Sequence, residues 1–207
     1  MKIIYFVRHG STAGNESDAY QLHTTALSEK GLAQAALVAV RFKNIAVDVI
    51  ISSDMTRAAQ TADCIAQAVG RLVVHSQFFH EILRPSVVRG KLKTDPEVRQ
   101  ITEHLIRSFA DHTHRHSDEE NFFDLRRRAV AGLDFLAKRP EENILVVTHG
   151  TILKMLMAVM MDGENTSPEF FWKLDRFLSP SNVGITTCLF QDGAWRLVVW
   201  NDQAHLG

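Results

Sequence analysis

The sequence predicts an α/β fold: three layers, α/β/α, around a mostly parallel central sheet, with a C-terminal hairpin and a helical insertion over the sheet's ligand-binding edge. Three observations predict it. Ile3–Val7 and Asn143–Thr148 are apolar, largely β-branched runs without polar alternation, as expected of strands covered on both faces. Between Ile3 and His75, strand-like and helix-like segments alternate, which favours parallel pairing through right-handed crossovers. Near the end, Gly184–Phe190 and Ala194–Trp200 flank Gln191-Asp192-Gly193, a hairpin signal.

The elements follow in order. The run Ile3–Val7 ends abruptly in Arg8-His9-Gly10 and a short polar loop. Ser28 then caps a helix whose apolar residues (Leu32, Ala35, Ala36, Ala39, Val40, Phe42) recur at helical spacing. Val47–Ser53 reads as the second strand, and Asp54 as the cap of a helix that runs to Val69 and stops at Gly70. Leu72–His75 is a short third strand. From about residue 78 to 120 the chain is irregular, punctuated by Pro85, Gly90 and Pro96, with a helical run from Pro96 to Ala110. Such insertions are where substrate-covering loops sit. A helix over Asn121–Ala137, the strand Asn143–Thr148, and a helix from His149-Gly150 to Met161 complete the pattern before the hairpin. With no linker, repeat or low-complexity stretch, residues 1–207 are expected to form one domain.

Composition narrows the function classes. Lys and Arg number 23 against 24 Asp and Glu, a formal net charge of −1, so nothing supports non-specific nucleic-acid binding. The five-residue apolar run after Lys2 is too short for a signal core, and no stretch is long enough to span a bilayer. The 2 cysteines, Cys64 and Cys188, read as small apolar residues of a reducing compartment, so the cytoplasm is the expected address.

Parallel strands place their carboxyl ends on one edge, where open α/β sheets bind ligands. The first strand delivers Arg8 and His9 there, the second leads within a few residues to Arg57, and Asn143–Thr148 delivers His149. Arg57 falls in the first turn of its helix, and Lys154 is similarly early in the next. Cations at helix N-termini oppose the macrodipole, which is a poor choice for stability and a good one for anion binding; a local pair between Asp54 and Arg57 is the plainer alternative. Two imidazoles and two guanidiniums suit phosphoryl transfer without a metal: one His attacks phosphorus while the cations hold the equatorial oxygens. The leaving oxygen needs an acid, for which Glu81 is the candidate and His80 the competitor.

These residues resemble the histidine phosphatase superfamily, the phosphoglycerate-mutase-like group, over nearly the whole chain. Arg8-His9-Gly10-Ser11-Thr12 with Asn15 is similar to its nucleophile loop, and Leu27-Ser28-Glu29-Lys30-Gly31 with Gln34-Ala35 to its helix start. Ser52–Ala62 and Val146–Gly150 resemble its second and last motifs. Asp54 stands where Pro is common, and Thr151 where a second Gly often follows. The resemblance implies that His9 carries the phosphoryl intermediate, that Arg8, Arg57, His149 and Asn15 bind the phosphoryl group beside Gly150, and that Glu81 donates the proton. Gln21 is the further pocket residue expected from the segment before Leu27.

It also implies a metal-independent phosphomonoesterase without a cofactor, acting on a small phosphorylated substrate or a phosphoprotein. A mutase is the alternative, but the resemblance implies that the group's cofactor-dependent mutases have a longer insertion with an Arg-His-Tyr-Gly segment, absent here. Two other classes remain: a metallohydrolase using His112, His114 and His116, against which a solvated turn is favoured, and a silent phospho-ligand-binding module. Arg84, Arg89, Lys91 and Lys93 favour an acidic leaving group or a solvated face. Phe122, Phe123, Phe170, Phe171 and Trp172 could line a pocket, fill a core or form a homodimer contact.

Overall fold

A computed structural model describes residues 1–207. The strands are β1 (Lys2–Arg8), β2 (Val49–Ser52), β3 (Val73–His75), β4 (Asn143–Thr148), β5 (Ile185–Gln191) and β6 (Ala194–Asp202). The helices are α1 (Ala13–Glu16), α2 (Glu29–Phe42), α3 (Thr56–Val69), α4 (Pro96–Ser108), α5 (Phe122–Lys138), α6 (Gly150–Asp162) and α7 (Pro168–Phe177). One mixed sheet has the order β3-β2-β4-β1-β5-β6. The first four strands are mutually parallel, and β5 and β6 close the other edge antiparallel. This is the predicted α/β class.

Side-chain alternation divides the core between the two faces of the sheet. Ile4, Phe6, Ile51, Ile144 and Val146 point toward α5, α6 and α7, where Phe122, Leu125, Ile152 and Phe171 meet them. Val7, Ile50, Leu145 and Val147 point the other way, toward Val38 and Phe42 of α2 and Ala58 and Ile65 of α3. The aromatic question is thereby answered: Phe122 and Phe171 are fully enclosed core residues, and Phe123, Phe170 and Trp172 pack against that core.

Most local expectations hold. The Ser28 hydroxyl accepts from Gly31 N, capping α2, and Gly70 ends α3 in the left-handed conformation (φ 66°). The hairpin turns through Asp192 and Gly193, both at positive φ (53° and 77°), as a tight two-residue turn requires. Asp54 is the correction. It does not cap α3; Met55 occupies the cap position without a side-chain bond. The Asp54 carboxylate faces His23 and His80, and a partner from another segment has overridden the local capping preference. α7, unforeseen, does begin with ordinary signals, a Ser167 cap followed by Pro168. The insertion holds two short 3-10 turns, Gln77–Phe79 and Ser86–Val88, ahead of α4.

One backbone contact positions the loop after β1. A Cβ built on Gly31 would lie 2.0 Å from Ser11 O, and one on Gly10 would lie 2.6 Å from Gly31 O. The loop and the start of α2 therefore touch backbone to backbone. Ser28 N donates to Ser11 O (3.0 Å), and Gln34 Oε1 accepts from Ser11 N (2.8 Å). Gly31→Ala is expected to lower unfolding free energy by about 2 kcal/mol, the usual cost of overpacking. Gly132→Ala on α5 should cost less, because its added Cβ meets chiefly the Phe78 and Phe79 side chains at 3.3 Å or more. Urea unfolding of both variants measures the difference; equal stabilities would show that α2 slides without penalty.

Candidate active site

The carboxyl ends of β1, β2 and β4 are adjacent in the sheet, with Arg8 opposite Thr148 and Ser52 opposite Val147. Backbone bonds extend this alignment by one residue: His9 N donates to Thr148 O (2.9 Å) and Ser53 N to Val147 O (3.1 Å). A cavity of about 650 Å³ opens over this edge. Arg8, His9, Asn15, Gln21, Arg57, Glu81 and Gly150 all line it, so seven of the eight expected residues converge on one space. His149 is fully enclosed just beside it, its ring 5.0 Å from that of His9.

The state of His9 follows from its partners. Its Nδ1 lies 2.7 Å from Gly10 O. A carbonyl can only accept, so the proton belongs on Nδ1 and the lone pair on Nε2. Arg57 Nε points its hydrogen at that same Nε2 (3.3 Å). Burial, then the charges of Arg57 and Arg8, hold the His9 imidazole well below its ordinary pKa, against the opposing Gly10 bond. His9 is therefore a neutral imidazole whose Nε2 carries the lone pair and accepts from Arg57 Nε. Burial and Arg57 likewise keep His149 neutral. Ser53 Oγ, which accepts from Met55 N (3.2 Å), lies 2.9 Å from His149 Nε2 and leaves Nδ1 of that ring without a partner.

The guanidiniums are fixed by backbone oxygens rather than by carboxylates. Arg8 Nη1 donates to Pro180 O (2.7 Å), and its enclosed Nε has no partner. Arg57, 3 % exposed, donates Nη1 to Leu22 O (3.0 Å). Burial pulls Arg57 down to about 10, Glu81 opposing and Arg8 adding to the effect, so it remains charged at neutral pH. Arg8 is lowered by burial as well, again with Glu81 opposing. The alternative of an Asp54–Arg57 pair is not realised, since Asp54 faces two histidines.

Glu81 sits on the N-terminus of α6. Its Oε1 accepts from Ile82 N (2.9 Å), Ile152 N (3.1 Å) and Thr151 N (3.2 Å), whereas Oε2 has Thr151 N alone (3.1 Å). A Cβ on Gly150 would fall 3.7 Å from Arg8 Nε and 3.9 Å from Glu81 Oε2, so these groups share one corner of the cavity. His80, the competing donor, is not part of the cavity wall and turns toward Asp54. Lys154 reaches the wall but is paired with Asp175 (2.5 Å), so it does not offer the unpaired charge its early-helix position implied.

Two expected groupings are not assembled. His112 stacks on Phe123, while His114 contacts His104, so His112, His114 and His116 do not gather as three ligands. Of the basic residues in the insertion, Arg84, Arg89 and Lys93 line the cavity, but Arg89 pairs with Asp118, Lys93 with Asp18, and Lys91 with Glu97 outside it. The cavity is reached by the irregular stretch from Glu81 to Lys93, and α4 contributes nothing to its lining.

Sequence reasoning missed Asn182 and Pro180. Asn182 Nδ2 donates to His9 O (2.8 Å) and approaches Asn15 Oδ1 (3.4 Å), while that oxygen also accepts from Thr12 N (3.2 Å). The Asn15 amide oxygen is thus occupied and its nitrogen is left to face the cavity. The only signal for Asn182 was a polar Ser-Pro-Ser-Asn stretch before β5, with nothing local to tie it to His9.

No helix is long and apolar enough to cross a membrane. Comparison with known proteins places the geometry. The chain is 30% identical over 211 residues to the "Probable phosphoglycerate mutase GpmB" of Yersinia pestis, covering 98% of this chain and 94% of that protein. Its fold is similar to that of a phosphoserine phosphatase mutant from Entamoeba histolytica in complex with phosphoserine (TM-score 0.79, 25% identity, all of both chains). It is also similar to Bacillus stearothermophilus YhfR (TM-score 0.81, 27% identity, all of both chains). The family model of the histidine phosphatase superfamily (branch 1) matches residues 4–203, and the chain belongs to that superfamily, whose members here are phosphatases and mutases.

Proposed function

We propose that the protein hydrolyses phosphomonoesters through a phosphohistidine on His9, with Glu81 as the general acid. The observation that carries this reading is the His9 tautomer: Nδ1–H is committed to Gly10 O, and the Nε2 lone pair is held in the cavity beside two buried guanidiniums. A neutral imidazole attacks phosphorus without first losing a proton. Arg8 Nε, which has no partner, and Arg57 then bond the equatorial oxygens, with the Asn15 amide nitrogen as a further donor. With Ser53 O–H donating to its Nε2, His149 has Nδ1–H to offer the same group. Positive charge is supplied by side chains and backbone, so no metal is required by this mechanism.

The leaving oxygen takes its proton from Glu81. Oε2 is the oxygen with spare capacity, since Oε1 already accepts three backbone bonds. Water next attacks the phosphohistidine, and Glu81, now a carboxylate, takes the water's proton. Hydrolysis rather than transfer to a second substrate is supported by the compact stretch between Glu81 and His149, which lacks the Arg-His-Tyr-Gly segment of the group's cofactor-dependent mutases.

The wall also bears on the substrate. Of the basic insertion residues that line the cavity, Arg84 is the one without an acidic partner; it lies over the Tyr20 ring (5.8 Å to the centroid). Gln21 lines the same wall with its Oε1 unpartnered. A cation and an acceptor on the leaving-group side suit a small phosphate ester that carries both an acid and a hydroxyl or amine. The relative crystallised with phosphoserine binds a ligand of that kind.

Rapid quenching with a labelled phosphomonoester tests the reading directly. An acid-labile, base-stable phosphoprotein is expected in wild type, in excess chelator as well, and none in His9→Ala. Trapping that survives the substitution removes His9 as nucleophile. For the acid, Glu81→Gln should slow an alkyl phosphate by roughly 10²–10⁴-fold and nitrophenyl phosphate far less, because a nitrophenolate leaves without a proton. If both substrates slow equally, while His80→Asn shows the selective loss, the role passes to His80.

Burial sets the pH dependence. His9 must be neutral to attack, and its folded pKa lies well below 6.5. The acid-side decline in kcat/KM is therefore expected well below pH 6.5 rather than at it. Stability also falls on acidification, beginning at a higher pH. Between the depressed folded values of His9 and His149 and the unfolded value near 6.5, the unfolded chain binds more protons. Folding stability should then fall as pH drops below about 6.5. Urea unfolding across that range checks it, and the dependence should weaken in His149→Gln; an unchanged slope would mean that this ring is charged when folded.

A further inference from the structure

Outside the phosphoryl cradle, three side chains from three separate segments meet at one point. His23 belongs to the turn before α2, Asp54 to the link between β2 and α3, and His80 to the end of the turn Gln77–Phe79. Their donor atoms, the two imidazole nitrogens and a carboxylate oxygen, all lie within 4.8 Å of one another. His23 Nε2 is 3.2 Å and His80 Nε2 2.5 Å from the same Asp54 Oδ1, and the two rings stand edge to face at 5.5 Å.

An ordinary ion pair does not account for this. A single carboxylate oxygen serves both imidazoles. His80 Nε2 is an enclosed nitrogen whose one contact is this shared oxygen, poorly aligned for a hydrogen bond. Such an atom costs stability unless something else engages it. The backbone around the cluster is held independently of it: Arg128 Nη1 donates to His80 O (2.7 Å), and Thr56 N to His23 O (3.1 Å). The donors are therefore presented by anchored segments.

We infer that His23, Asp54 and His80 form a binding site for a borderline divalent transition cation of the zinc class. Imidazole and carboxylate donors are what such cations take, and hard cations such as magnesium prefer sites made wholly of oxygen. Metal–ligand bonds of about 2.0–2.2 Å in a tetrahedron space the donor atoms by roughly 3.3 Å. The His23–Asp54 separation already matches this, and the His80–Asp54 separation opens to it by a small side-chain rotation. Three protein ligands leave a fourth position for water. The site adjoins the cavity, whose wall includes His23, but takes none of its donors from the residues assigned to phosphoryl transfer. The other histidine-rich stretch is a weaker candidate, since His104 and His114 contact each other without an acid and His112 is stacked on Phe123.

Titration of the chelator-stripped full-length protein with zinc alone, by calorimetry or against a chromogenic zinc chelator, tests the site. One saturable equivalent is expected, with affinity reduced at least tenfold in Asp54→Asn and in His23→Gln and unchanged in His114→Gln. Millimolar magnesium should not compete. Cobalt substituted for zinc should give the visible bands of a four-coordinate ion in wild type and lose them in Asp54→Asn. Thermal unfolding without metal confirms that each variant is folded; a variant that is not is replaced by His80→Gln. Absence of saturable binding, or binding untouched by Asp54→Asn and His23→Gln but lost in His114→Gln, overturns the assignment.

Discussion

The enclosed guanidinium of Arg57 is the constraint around which the site is arranged. A charge taken out of water costs several kcal/mol unless its donors are met. Here they are met by Leu22 O, His9 Nε2 and Met55 Sδ, and no carboxylate bonds it. Neutral acceptors satisfy the hydrogens while leaving the charge largely uncompensated. Burial first, and the Arg57 charge after it, hold both imidazoles neutral. The site thus sets two guanidiniums against the Glu81 carboxylate without a direct bond to it, and a dianionic phosphoryl group fits the donors that remain.

Holding His9 against such a field demands a rigid loop, and the loop is fastened from two sides. On one, the backbone contact between Gly10 and Gly31 and the bond from Ser11 to Gln34 tie it to α2. On the other, Asn182 donates to His9 O and Pro180 accepts from Arg8, both from the segment leading into β5. That segment is next to the loop because β5 lies antiparallel against β1. The antiparallel edge therefore does more than close the sheet: it brings the chain back to the carboxyl end of β1, where the parallel strands alone would leave the loop open.

How much of this was legible depended on the range of the interaction. β1 and β4 declared themselves because a strand buried on both faces has no polar positions to spare, and Arg8, His9, Arg57 and His149 were readable as the residues where those strands and α3 begin or end. Glycine at position 31 sat in a recognisable helix start, though its purpose, the approach to Ser11 O, needed coordinates. Asp54 was misread because capping preference is worth only about 1 kcal/mol, and two histidines from other segments competed for its carboxylate. Lys154 was half read: its place early in α6 was right, but Asp175 on α7 neutralises it, and α7 had not been anticipated. Asn182 carried no local signal, because its bond to His9 O spans 173 residues of chain.

Glu81 shows how the proposed chemistry and the resting structure fit together. At rest its carboxylate takes four backbone contacts at the start of α6 and lies in the field of Arg8 and Arg57. It is a negative charge in a corner built for anions. In the proposed reaction the substrate phosphate enters the same corner and draws on the same guanidiniums. Two negative charges side by side are unfavourable, and a proton taken up from water onto Glu81 Oε2 is the one then given to the leaving oxygen. Once the leaving group departs with that proton, the carboxylate is restored beside a phosphohistidine, positioned to take a proton from water. The same donors that fix Glu81 at rest keep Oε1 stationary while Oε2 changes state, so acid and base steps need no movement of the chain.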